Sequence, residues 1–325
     1  MSTTLPRLLE AAMALLNFRK RDDSHTSGTG PVNAQVEAFL KGYSIEVMPR
    51  TAEKVEDFRA LLPEGTRVYI AHIEGTPIED MVATARRLAR DGYPVMPHFP
   101  ARIIKDRATL ADWIARYKGE AGVDQALLLG GGVSTPAGEF DSSMQLMETG
   151  LFDGFTRLHV AGHPEGNRDI DTDGGDRIVM EALRWKQAFS ARTDAKMALA
   201  TQFAFEAKPI IAWEDRLRAE GIDLPIHIGI AGPAKLQTLI KFAIACGVGP
   251  SLKVLQKRAM DVSKLLLPYE PTEVLAELAA HKAANPDFNI DHVHFFPLGG
   301  ISTNANWAIQ HGGRSGVPAA QAASH

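Results

Sequence analysis

TRVYIAHIEGTPIEDMVATARRLARDGYPVMPHFP, residues 66–100, decides how the chain folds. Its first apolar run, Arg67–Ile73, is short enough for a buried strand and ends in a polar turn. Thr76 and Glu79 then have capping-box spacing, and Pro77 suits a first helical position. Ile78, Met81, Val82, Ala85, Leu88 and Ala89 recur at helical spacing and mark one buried face. Gly92 supplies the stop, and a second apolar run, Pro94–Pro97, follows at once. The segment reads as strand, helix, strand.

The same alternation extends in both directions. Further runs lie at Tyr43–Val47, Gln125–Leu129, Arg157–Ala161, Met197–Phe205, Ile226–Ile230 and His292–Phe296. Asp106 has the position of an N-cap for another helix, with a buried face of Leu110, Trp113, Ile114 and Tyr117 and Gly119 as its terminator. About eight strand–helix units in one chain predict an α/β fold closed into a (β/α)8 TIM barrel. An open doubly wound sheet would also alternate. No internal repeat and no boundary splits the body.

Ahead of it, Leu8, Leu9, Ala12, Leu15 and Leu16 have helical spacing and predict an extra N-terminal helix. Arg19–Pro31 is polar and glycine-rich, as a linker would be. The expected organisation is therefore a helix and flexible linker over 1–33, a catalytic barrel over 34–311, and a disordered tail over 312–325.

Composition excludes several classes. The 325 residues are 45% hydrophobic and 23% charged, with a net charge of −4, as in a folded globular chain. Nothing in that charge balance calls for nucleic acid. Glu10 interrupts the first apolar stretch and no small-residue cleavage site follows, so no signal peptide is expected. No run reaches the ~18 apolar residues of a membrane span. The single cysteine, Cys246, fits a reducing compartment and reads as a buried inert thiol. A cytoplasmic enzyme is the expectation.

Chemistry in such a barrel sits at the C-terminal strand ends. Those ends carry Glu46, His72 with Glu74, His98, Gly130–Gly132, and His163 with Glu165. Gln202 lies within the sixth strand, and Gly229 and Gly232 flank the exit of the seventh. So many polar groups have no use in a packed rim. Each has a structural alternative: Glu46 paired with Arg50, His98 bonded to backbone in the core, the glycines as a tight turn. The other reading of the glycines is close approach of backbone to a bound ring or phosphate. His292 and His294 have the spacing of a strand-borne pair. They precede the apolar Phe295 and Phe296, with no HExxH motif or cysteine cluster, so both are expected inside the strand and no metal is expected.

Several segments together resemble the methylenetetrahydrofolate reductase family. They are YSIEVMPRT (43–51), PVMPHFPAR (94–102), ALLLGGG (126–132), AGHPEGNRD (161–169), ATQFAFE (200–206) and RAEGIDLPIHIGIAGPAKL (218–236). The likeness runs from Tyr43 to Trp307 in order and spacing. It implies FAD across the mouth, with NAD(P)H and a tetrahydrofolate taking turns at it. Glu46 takes the place of the family's general acid, expected with a raised pKa. It would protonate the folate so that the methylene bridge opens. Gln202, Phe203, Phe205 and Leu236 fall at substrate-binding positions. His72, His98, Leu129, Gly130, Gly131, Gly132, His163 and Asn167 fall at cofactor-binding ones.

The departures matter as much. Gly132 replaces an aspartate that tunes the flavin, His163 a tyrosine, and Asn167 a histidine. Ala71, His72 and Ile73 replace a threonine–tyrosine–glycine, and Leu236 stands where an aromatic side chain stacks on folate. Lys186 and Lys196 are both candidates for the family's phosphate-binding lysine. Loss of a negative charge beside a flavin favours its reduction, which points towards methyl-folate oxidation in one-carbon and demethylation metabolism. The competing expectations are a flavin-free folate-binding methyltransferase or carrier and a metal-dependent barrel hydrolase. Homo-oligomerisation is left open.

Overall fold

A computed structural model describes residues 33–245, 249–260 and 267–313. The expected first helix, its linker, Cys246 and nearly all of the tail lie outside those residues.

Eight parallel strands close in sequence order, β8 pairing with β1. They are β1 Ser44–Val47, β2 Val68–Ile70, β3 Val95–Pro100, β4 Gln125–Leu129, β5 Arg157–Gly162, β6 Lys196–Ala204, β7 Ile226–Ala231 and β8 Ile290–Phe296. The helices are α1 Ala34–Leu40, α2 Pro49–Ala52, α3 Ile78–Arg90, α4 Arg107–Ala121, α5 Ser143–Glu148, α6 Arg177–Ser190, α7 Ala207–Ala219, α8 Leu236–Ala245, α9 Gly249–Met260, α10 Thr272–Ala284 and α11 Ile301–Gln310. This is the (β/α)8 barrel the alternation predicts. None of the described helices is long and apolar enough to cross a membrane.

Helix α3 buries the expected face, with Met81, Val82, Ala85 and Leu88 sealed and Ile78 and Ala89 partly so. Its start differs from expectation. Pro77 is the N-cap and no capping box forms, because Glu79 reaches across to Arg116 on α4, 2.6 Å away. In α4, Asp106 caps as predicted by accepting from the Thr109 N–H at 2.8 Å. The helix runs through Gly119 and stops at Gly122, whose left-handed φ of 62° lets the Val123 N–H reach the Tyr117 carbonyl.

Strand residues alternate between two environments. Outward-facing Ile45, Ile70, Phe99, Leu128, Val160 and Ile228 join the main apolar layer beneath the helices. Inward-facing Tyr69, Met96, Leu127 and Ala200 form a separate cluster inside the barrel. Such interiors are ordinarily filled by branched aliphatic side chains. Here Ser44, His159, His227 and His294 are all buried polar residues, at most 2% exposed.

Candidate active site at the barrel mouth

Glu46, the last residue but one of β1, faces inward with 18% of its side chain exposed. Two imidazoles flank it. His98 Nε2, on β3, is 3.3 Å from Oε2, and His294 Nε2, on β8, is 3.7 Å from the same oxygen. Behind His294, its Nδ1 lies 2.9 Å from the Ser44 hydroxyl. Neither structural alternative holds: Glu46 pairs with histidines rather than Arg50, and His98 meets a carboxylate rather than backbone. Strand β3 also runs on to Pro100, so His98 belongs to the strand itself and not to the loop beyond.

The expected raised pKa of Glu46 is overturned. Burial alone would raise this carboxyl, but the charge of His98 and the hydrogen bonds and charge of His294 outweigh it and hold it down at about 2. Burial lowers His294, against the pull of Glu46. At neutral pH Glu46 is a carboxylate, and its proton must come from a neighbour.

The other expected positions divide into three groups. Gln202 is half-buried, and its Oε1 accepts from the Phe203 N–H at 3.1 Å. Phe203, Phe205 and Leu236 are buried together with Leu239 and Tyr269 in a satellite apolar cluster beside the mouth. Leu129 packs against the interior cluster at the end of β4. Beyond it, the Gly130 carbonyl accepts from Arg102 N–H, and Gly131 turns the chain with φ 98°. A Cβ on Gly131 would come within 3.1 Å of Pro100, whereas one on Gly132 would meet nothing within 4 Å. The glycine run is thus a tight turn that also leaves open backbone.

The third group makes its contacts with residues other than Glu46. His72 Nε2 is 3.0 Å from the Thr76 carbonyl, and its ring lies 4.8 Å from Trp113 on α4. Asn167 accepts from the Asp169 N–H at 2.9 Å. His163 borders a cleft of about 320 Å³ with Asp176, Trp213 and Arg216. Burial, and then the charge of Lys186, depress its imidazole to about 4. Of the two candidate phosphate lysines, Lys186 is buried, donates to the Ala161 carbonyl at 3.1 Å and is lowered by burial to about 8, while Lys196 is exposed.

Sequence reasoning missed His294 as the second imidazole on Glu46, and missed Ser44 behind it. It also missed Asp171, whose buried carboxylate accepts from the Ile178 and Val179 N–H groups and caps α6 from seven residues upstream.

No family model matches the chain. Among solved structures, it is similar to a protein from Clostridium thermocellum described as binding two copies of 5-methyl-5,6,7,8-tetrahydrofolic acid. The two share 12% identity over 85% of this chain and 98% of that one, with a TM-score of 0.54. The likeness is one of fold. A second similarity, to the carboxyl transferase domain of Rhizobium etli pyruvate carboxylase, has 9% identity over 85% and 55% of the two chains and a TM-score of 0.38.

Proposed function

We propose that the chain binds a reduced folate at the barrel mouth and interconverts 5,10-methylenetetrahydrofolate and 5-methyltetrahydrofolate. The observation that carries this reading is Glu46, a carboxylate held between His98 and His294 at the catalytic end of the barrel. The fold shared with a protein described as binding 5-methyltetrahydrofolate supports it.

Opening the methylene bridge needs a proton at the departing nitrogen, and closing it needs that proton removed. Glu46 would relay that proton between the folate and the adjacent imidazoles, 3.3 and 3.7 Å away. This replaces the simpler picture of an acid kept protonated by a dry pocket. Gln202 contributes its NH2 group towards a pterin carbonyl, since its Oε1 is already engaged.

The place we assign to FAD is the backbone at Gly132, where an added Cβ would meet nothing within 4 Å. Leu129 through Gly132, with His98 on the adjacent strand, would hold it. When bound, it supplies hydride exchange with NAD(P)H and with the one-carbon unit. The lack of an acidic side chain at Gly132 favours the oxidative direction.

A flavin-free folate-binding methyltransferase or carrier is the second reading. It is favoured by His72 and Asn167, whose side chains are both engaged within the protein. A visible spectrum of the purified full chain, followed by anaerobic addition of 5-methyltetrahydrofolate, separates them. Yellow protein bleached by the folate supports the first reading. Colourless protein that binds the folate supports the second, and absence of folate binding sinks both.

A further inference from the structure

The mouth chemistry leaves a second group of side chains unused, lower in the barrel. His227 on β7 and His292 on β8 are register partners, their rings stacked with centroids 4.6 Å apart and planes 20° off parallel. Just before them the register slips. Ile226 pairs with Ile290 but His227 pairs with His292, so Asp291 is an extra residue in β8. Such bulges are rare in parallel pairs, and they re-aim a side chain. In a regular strand, Asp291 and His292 would point to opposite faces. Here Asp291 Oδ2 comes within 2.8 Å of His292 Nδ1. One ligand atom from each of His227, Asp291 and His292 lies within 4.8 Å of the others.

The surroundings leave these groups short of partners. His227 is 2% exposed, and its Nδ1 has no hydrogen bond. His159 lies alongside, its ring 4.5 Å from that of His227 and its buried Nε2 equally without a partner. Leaving such atoms unpaired is costly in a folded interior.

We propose that His227, His292 and Asp291 bind a divalent transition-metal ion of the zinc class. Two imidazoles and a carboxylate suit that class, whereas calcium and magnesium take oxygen ligands. Tetrahedral coordination at ~2.0–2.1 Å sets ligand atoms ~3.4 Å apart. The Asp291 side chain, 57% exposed, is free to turn through the remaining distance. His159 or a water completes the set. Asp291 is the decisive ligand, because Arg67 and Arg157 act on this region electrostatically and disfavour a cation. The ion would pin the β7–β8 bulge at the end of the barrel that serves stability, away from Glu46. It differs from the strand-borne pair His292 and His294 in its second imidazole, because His294 turns to Glu46 instead.

The test uses untagged full-length protein purified without chelator. Its metal content is measured, the stripped protein is titrated with Co2+ in competition with Zn2+, and melting is followed with and without EDTA. About one equivalent of metal and a lower Tm in EDTA are expected. His227→Ala removes a buried group and risks misfolding, so Asp291→Asn is the informative variant. It should weaken Co2+ binding at least ~10–100-fold, the loss expected even for an outer-shell partner, and make the Tm insensitive to EDTA. Wild-type protein that takes up no metal overturns the proposal. So does a variant that binds Co2+ as tightly as wild type, since the ion would then sit elsewhere.

Discussion

At the top of the barrel interior, Glu46 lies between two imidazoles with 18% of its side chain exposed. Lower down, Tyr69 donates to or accepts from His159 at 2.6 Å, and His227 follows in the same stack, all sealed from solvent. Both regions are built from histidine and one oxygen-bearing partner. They differ in the charge they can hold. The upper group holds a carboxylate that its neighbours keep ionised within reach of water and of a bound substrate. Burial pushes His159 and His227 well below the ordinary imidazole range, so the lower rings stay neutral. Similar side chains thus give a proton-handling site in one layer and a structural stack in the other.

The largest expected effect tests the upper region. Glu46→Gln keeps the shape and removes the charge, and folate turnover should fall ~10²–10⁴-fold, the range for loss of a positioned acid–base group. Steady-state kinetics with 5-methyltetrahydrofolate would show it. Turnover within threefold of wild type would remove Glu46 from the chemistry.

Acid should then separate the contributions. Glu46 has a folded pKa of about 2 against an ordinary 4.5, so its stabilisation is whole above about pH 4.5 and lost as pH falls towards 2. His163, at about 4 against 6.5, is neutral in the fold while the unfolded chain already binds a proton. Its contribution is whole above about pH 6.5 and lost as pH falls through 4. Both slopes run the same way. Urea midpoints should decline between pH 7 and 4, with the limb below 4.5 flattened in Glu46→Gln. A midpoint constant from pH 7 to 4 would contradict the His163 assignment. A wild-type limb below 4.5 no steeper than that of Glu46→Gln would contradict the Glu46 one.

The lower region should respond in stability and not in turnover. Tyr69→Phe keeps the ring but leaves His159 Nδ1 buried without its partner, at a cost of about 1–3 kcal/mol. Equilibrium denaturation measures it. If stability were unchanged while turnover fell, the division between the layers would fail.

How much of this was legible follows the same division. Glu46 and His98 could be found because they stand where apolar runs end, and strand ends are where a barrel places chemistry. The barrel itself was visible in short apolar runs alternating with helical faces such as that of α3. His159 and His227 escaped because they lie within strands, where a search of the mouth does not look. His294 stood out only as half of a strand-borne pair and not as a partner of Glu46. The signal was present as histidines at inward positions of β5, β7 and β8. Two features had no local signal. The slip that re-aims Asp291 depends on pairing with β7, and the pKa of Glu46 depends on side chains 52 and 248 residues further along the chain.

The smallest expected effect addresses the open edge of the mouth. Gly131 and Gly132 look alike in sequence but occupy different space. Gly131→Ala meets a positive φ of 98° and a Pro100 contact at 3.1 Å, and should cost about 1–2 kcal/mol. Gly132→Ala enters empty space, and its stability should stay within ~0.5 kcal/mol of wild type. If a flat cofactor rests on that backbone, the added methyl occupies its volume, and the variant should lose bound flavin while folding normally. Flavin content per folded chain, from absorbance and denaturant-released fluorescence, is the measurement. An unchanged ratio would mean that the ring lies elsewhere on the mouth, and the flavin would have to be sought away from β4.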